Sequence, residues 1–114
     1  TLPLTPEHNL AYLRELAEVA RGLNLSIGQK NAPDLIAELA GSMDFLIVDS
    51  CFRWNWCAAV TPYIEAGKPV FGMEFIEAEI AWEDACAEAA ELGIQMILKS
   101  KALDMARLTC GETS

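Results

Sequence analysis

Apolar and polar positions along the 114-residue chain switch repeatedly between a helical and a strand-like period. Thr5-Pro6-Glu7 opens a helix, with Thr5 as N-cap and Pro6 at the first helical position. Leu10, Leu13, Leu16, Ala17 and Ala20 recur behind it at helical spacing, and Gly22 closes it. Residues 25–30 read as a short strand. Asn31 is placed to cap a second helix, with Leu35, Ile36 and Leu39 on one face and an end near Gly41. Residues 44–50 form a strand whose unbroken apolar run, Phe45-Leu46-Ile47-Val48, predicts burial on both faces. A short helix starts at Thr61-Pro62 and stops at Gly67, and residues 69–75 make a third strand. Residues 80–92 are helical, with Trp82, Ala85, Cys86 and Ala89 inward, Glu83, Glu88 and Glu91 outward, and Gly93 at the end. Residues 94–99 are a fourth strand, and 103–108 a last short helix. Strands alternating with helices predict an α/β fold with parallel pairing and right-handed crossovers.

Polar residues gather at the C-terminal ends of all four strands: Lys30 and Asn31, then Asp49, then Glu74, then Lys99. In a parallel β/α barrel those ends share one rim, where active sites sit. The plain structural alternative is that strand ends meet solvent and are polar anyway. Asp49 is the most pointed of these residues. It is a lone carboxylate that closes a buried strand and leads into a loop with Trp54 and Trp56 between Cys51 and Cys57. It reads either as a reactive acid, or as a helix cap or ion-pair partner of a rim lysine. Glu74 reads either as a group that binds a ligand or tunes Asp49 through like charge, or as a rim ion pair with Lys30 or Lys99. Lys30 and Lys99 in turn orient carboxylates or bond a ligand's hydroxyls. The two tryptophans can stack on a ligand or pack beneath the loop. One of the two, taken as Trp54, is expected to meet a ligand. Arg53 reads as a solvated loop residue and His8 as an exposed bystander.

Composition narrows the chemistry. Seventeen acidic residues against 8 basic give a net charge of −9, which argues against nucleic acid and anionic membranes as partners. The acidic field suits a cationic ligand, or simply a soluble acidic protein. The length allows one modest domain, and 53% hydrophobic residues can fill its core. No apolar run approaches the ~20 residues of a membrane span, and no signal-peptide pattern opens the chain. The four cysteines admit three full pairings. Their spacing lacks C-x-x-C and the sole histidine, His8, is remote, so no metal site is expected. They read as disulfides of an oxidising compartment or as four buried thiols. Without G-x-G-x-x-G, P-loop or G-x-S-x-G, neither a nucleotide cofactor nor a nucleophile elbow is expected.

Taken in order, several segments resemble glycoside hydrolase family 114. They are Lys30-Asn31, the stretch from Phe45 to Cys57 with its Asp49-x-Cys51-x5-Cys57 spacing, Ala66-Gly67-Lys68-Pro69-Val70-Phe71-Gly72-Met73-Glu74-Phe75, and Leu98-Lys99. The resemblance runs from about Leu4 to Cys110. It implies a TIM-like (β/α) barrel and endo-α-1,4-polygalactosaminidase activity. A complete barrel of this kind needs ~250 residues, so residues 1–114 are expected to be a single partial domain, the C-terminal half holding strands five to eight. The family's other carboxylate, an Asp ending strand four, would then precede Thr1. Where the family reads Asn-Glu-Gln-Cys, this chain reads Val48-Asp49-Ser50-Cys51, which puts Asp49 at the catalytic Glu position, one methylene shorter. Glu74, Lys30, Asn31, Trp54 and Lys99 become substrate-binding candidates. All four cysteines fall at family positions, pairing as 51–57 and 86–110. A secreted or periplasmic protein acting on a cationic amino-sugar polymer follows. The half-barrel would be completed by its missing N-terminal half or by another copy of the chain. The alternative is a half-barrel that holds glycan without cleaving it, or that self-associates.

Overall fold

The computed structural model describes residues 5–101 and 107–110. Four β/α units run in order: α1 (Pro6–Gly22), β1 (Gly28–Lys30), α2 (Ile36–Leu39), β2 (Phe45–Asp49), α3 (Thr61–Glu65), β3 (Val70–Phe75), α4 (Trp82–Leu92) and β4 (Gln95–Lys99), followed by β5 (Arg107–Thr109). The sheet order is β1-β2-β3-β4-β5. The first four strands pair in parallel, and β5 returns antiparallel along β4.

Local chemistry explains most boundaries. The Thr5 side chain accepts a hydrogen bond from the His8 N–H at 3.2 Å, so the expected cap of α1 is in place. Gly93 ends α4 with φ 87°, a conformation that favours glycine. Ala85 and Ala89 are buried along α4, Trp82 packs against the core, and Cys86 is half-buried.

Three expectations need correction. Asn31 caps no helix. It stands in the left-handed region, and the following turn, Pro33–Leu35, has Ala32 as its N-cap with no side-chain bond. Its carboxamide is taken by the backbone of β2 instead. The expected helix at 103–108 is not formed at its C-terminal end. Arg107 and Leu108 belong to β5, which occupies the edge of β4 and leads directly into the disulfide between Cys110 and Cys86. Residues 103–106 lie outside the described residues. The strands are also not buried on both faces. Leu46 and Val48 are fully buried, whereas Phe45, Ile47 and Asp49, alternating with them, are half-buried.

This alternation reports that helices cover one side of the sheet only. Leu46, Val48, Val70, Ile94 and Met96 meet Ile36, Leu39, Val60, Tyr63 and Ala89 in a single core. Register puts Ile47, Phe71, Met73 and Ile97 on the opposite face. That face is open enough to leave Phe71 40% exposed. A groove of about 540 Å³ crosses it between Ile47, Phe71, Met73, Gln95, Ile97 and Arg107.

Candidate functional site

The C-terminal ends of the parallel strands converge on one rim, and backbone strain concentrates there. Six non-glycine residues among those described have positive φ, and five of them (Asn31, Ala32, Ser50, Asn55 and Glu79) lie in the rim loops. A left-handed alanine costs roughly 1–2 kcal/mol, so these turns persist only because their surroundings hold them.

The structure brings Lys30, Asn31 and Asp49 together. The Asn31 Oδ1 accepts the Asp49 N–H at 2.8 Å, and the Asn31 N–H donates to the Ile47 carbonyl at 2.8 Å. Lys30 Nζ lies 3.9 Å from Asp49 Oδ2, with both side chains in contact with solvent. Such an exposed pair contributes little to stability, at most about 1 kcal/mol. Asp49 projects from the open face of the sheet, at the level of Met73 on β3. Lys99 is half-buried at the end of β4, two strands from Asp49 and level with Phe75.

Glu74 is placed otherwise than as a rim ion pair. It lies one residue beyond Met73, so the strand's alternation turns it to the helix-covered side, where it is fully buried. Its carboxylate accepts the backbone N–H groups of Phe52 at 2.9 Å and Arg53 at 3.3 Å. Burial pushes the Glu74 carboxyl above the ordinary glutamate range. The two amide donors act against that push, and the negative charges of Asp49 and Glu88 add to it. Glu74 thus anchors the loop that follows β2 from beneath and meets no solvent.

That loop is fixed twice. Cys51 and Cys57 are buried and joined by a disulfide, and Glu74 holds the two amides between them. The expected pairings 51–57 and 86–110 are both present. Trp54 stands at the loop's crest, 66% exposed, with the Arg53 guanidinium 4.8 Å over its ring. Trp56 packs against the core, so the two tryptophans point opposite ways because residues 51–55 form a turn; in extended backbone residues two apart would share a side. Arg53 and His8 are exposed as expected.

Three contributors escaped the sequence. Gln29 and Tyr63 form a buried pair beneath Asn31: the Tyr63 hydroxyl donates to Gln29 Oε1 at 2.7 Å, and burial pushes that hydroxyl's pKa up to about 12. Glu77 accepts the Ser100 hydroxyl at 2.7 Å and the Lys101 N–H at 3.0 Å, tying the ends of β3 and β4 together. The Ser100 bond leads in holding the Glu77 carboxyl below its usual range. Gln29, at the centre of the three-residue strand Gly28–Lys30, offered no periodic signal for the first pair, and Glu77, one of many surface acids, offered none. Among the described residues no group of His, Cys, Asp and Glu could hold a metal ion.

A rim of this kind, with a carboxylate at a parallel strand's end beside an exposed tryptophan, suits sugar recognition. The profile of glycoside-hydrolase family GH114 matches residues 1–114. The chain belongs to glycoside-hydrolase family GH114. Among solved structures it is similar to Aspergillus fumigatus Ega3 in complex with galactosamine, at 27% identity and a TM-score of 0.84. The similarity covers 96% of this chain and 47% of that one, so the chain spans about half the length of its solved relative. Four parallel β/α units over half of such a protein are consistent with half of a TIM-type barrel. No curated protein matches the chain.

Proposed function

We propose that these residues form part of the active-site rim of a secreted glycoside hydrolase that cleaves an α-linked, galactosamine-containing polymer, with Asp49 as its acid/base. The observation that carries this reading is the Lys30–Asn31–Asp49 constellation at the strand ends of a GH114 chain. The galactosamine bound to the similar fungal structure supplies the substrate class. Two disulfides agree with an extracellular setting, and no helix among the described residues is long and apolar enough to cross a membrane.

Hydrolysis of a glycoside needs one carboxyl to protonate the leaving oxygen and a second to attack or to activate water. Asp49 supplies the first in this reading. Glu74 cannot supply the second, because its carboxylate is committed to the Phe52 and Arg53 amides on the covered side of the sheet. The second comes from a part of the protein outside these 114 residues. Unacetylated galactosamine is cationic, so the net charge of −9 favours its approach. Trp54 offers a ring for a sugar face or an ammonium. Lys30 and Lys99 offer donors to hydroxyls.

The test is reducing-end release from polygalactosamine by the full-length protein. Turnover that survives unchanged in Asp49→Ala removes Asp49 from the mechanism. Absence of turnover on any galactosamine polymer by the unaltered protein overturns the activity itself.

A further inference from the structure

Apart from Tyr63 with its hydroxyl, two polar or charged side chains among the described residues are buried, Gln29 and Glu74, and each holds the backbone of a rim loop. Glu74 serves the disulfide loop. Gln29, on the helix-covered side of β1, serves the loop that carries Lys30 and Asn31.

Its bonds leave little freedom. Gln29 Nε2 donates to the carbonyls of Asn31 at 2.8 Å and Ala32 at 3.1 Å. Those two acceptors require the NH2 end of the carboxamide, so Oε1 must point away from them. There it accepts the hydroxyl of Tyr63, a fully buried residue of α3. Asn31 and Ala32 are both left-handed, at φ 55° and 56°. A consecutive left-handed pair in non-glycine residues needs outside support, and the two carbonyls gripped by Gln29 belong to that pair. The result of the turn is visible at the site. Asn31 Oδ1 meets the Asp49 N–H, and Lys30, immediately before, brings its Nζ towards the Asp49 carboxylate.

We propose that the buried Tyr63–Gln29 pair is a positioning device for Asp49, acting through the left-handed turn at Asn31 and Ala32. Tyr63 orients Gln29, Gln29 fixes the turn, and the turn sets Asn31 and Lys30 against Asp49. Neither Gln29 nor Tyr63 touches a ligand. The proposal rests on the reading of Asp49 as the acid/base for its catalytic consequence, but its structural content does not.

The test uses full-length Gln29→Leu, Tyr63→Phe, Asn31→Ala and the double variant Gln29→Leu/Asn31→Ala. Amide hydrogen exchange reads the device without any activity. Exchange at the bonded amides of Asn31 and Asp49 is expected to rise roughly tenfold in Gln29→Leu, and less in Tyr63→Phe, while Leu46 and Val70 keep their protection. Where turnover exists, kcat should fall about 10- to 100-fold in Gln29→Leu with KM little changed, as for a misplaced reacting group. Because the effect passes through Asn31, the double variant should lose no more than the worse single variant. Losses that multiply in the double variant overturn the proposal, as does unchanged Asp49 exchange in either single variant. If Gln29→Leu does not fold, Tyr63→Phe carries the exchange test. A protein without turnover defeats the proposed function and leaves the exchange test standing.

Discussion

Replacing Glu74 by glutamine separates two jobs that a buried carboxylate performs at once. Its two amide partners are each worth about 1.5–3 kcal/mol to a charged acceptor, the 3.3 Å bond from Arg53 towards the lower end. Against that gain stands the burial of the charge, a cost of several kcal/mol in a protein interior. The upward displacement of the Glu74 carboxyl says that burial, together with the negative charges of Asp49 and Glu88, outweighs the amides. Glu74→Gln therefore removes a charge that the fold tolerates at some cost, and keeps one acceptor. Global stability near pH 7 should change by no more than about 1 kcal/mol. The loop should respond more strongly, because one of the two amides now faces an NH2 group. Losing one such bond corresponds to an exchange increase of about tenfold or more at Phe52 or Arg53. The pH dependence fixes the sign. A folded-state value above the unfolded 4.5 means that the native protein holds more protons between the two. This group's contribution to stability is then greatest at and below about pH 4.5 and is lost as pH rises through the raised value. The variant lacks that dependence. Urea unfolding of both proteins across pH 4.5 to 8 should show the wild-type advantage shrinking as pH rises. An advantage that grows with pH would refute the reasoning, since it would mean that the amides, not burial, dominate Glu74.

The two disulfides should differ in weight. On a loop-entropy basis the 51–57 bridge, with a separation of 6, stabilises by ~2.4 kcal/mol, and the 86–110 bridge, with a separation of 24, by ~3.5 kcal/mol. Urea midpoints of the paired Cys→Ala variants should therefore fall further for 86–110, and the reverse order would show that buried packing at Cys51 and Cys57 governs instead. Gly72→Ala places a methyl 2.7 Å from the Met96 sulfur and 2.9 Å from Ile94 inside the core, which should cost about 1–3 kcal/mol in a denaturation experiment. Trp54→Ala should weaken binding of a galactosamine oligomer about 5- to 10-fold, read as KM or by titration, with kcat little altered and thermal stability unchanged because the ring is 66% exposed.

The parts of the fold that could be read from the chain are those where a pattern outlasts a few residues. Strand β2 and helices α1 and α4 announce themselves through long apolar periods and through Thr5 and Gly93 at their ends. The rim followed, because strand order in β/α units puts all C-terminal ends on one side. Strand β5 did not, because three residues along one edge carry no period, and its position depends on the distant bond to Cys86. The face of Glu74 was hidden for a different reason. In Val70-Phe71-Gly72-Met73-Glu74-Phe75 both faces are apolar apart from the acid itself, so parity could not be assigned. Only the pairing of Asp49 with Met73 decides that Glu74 points the other way. Asn31 was misread because an asparagine before a short helix looks like a cap, while the competing demand came from a backbone amide 18 residues later.

The opposite placement of Asp49 and Glu74 also explains how an acidic strand end can be both exposed and firmly held. A rim carboxylate that must reach a ligand cannot itself be tied down by several donors. Asp49 keeps its side chain on the open face, partnered among the described residues by the weak contact with Lys30, and is fixed through its own backbone N–H by Asn31. The donors that a loop would otherwise turn towards the rim, the amides of Phe52 and Arg53, are instead drawn beneath the sheet by Glu74. Holding power thus sits on the covered side, in Glu74, Gln29 and Tyr63, where low dielectric strengthens each bond. The open side retains a carboxylate, an exposed ring and the Lys30 ammonium, whose contacts with solvent are those a ligand can replace.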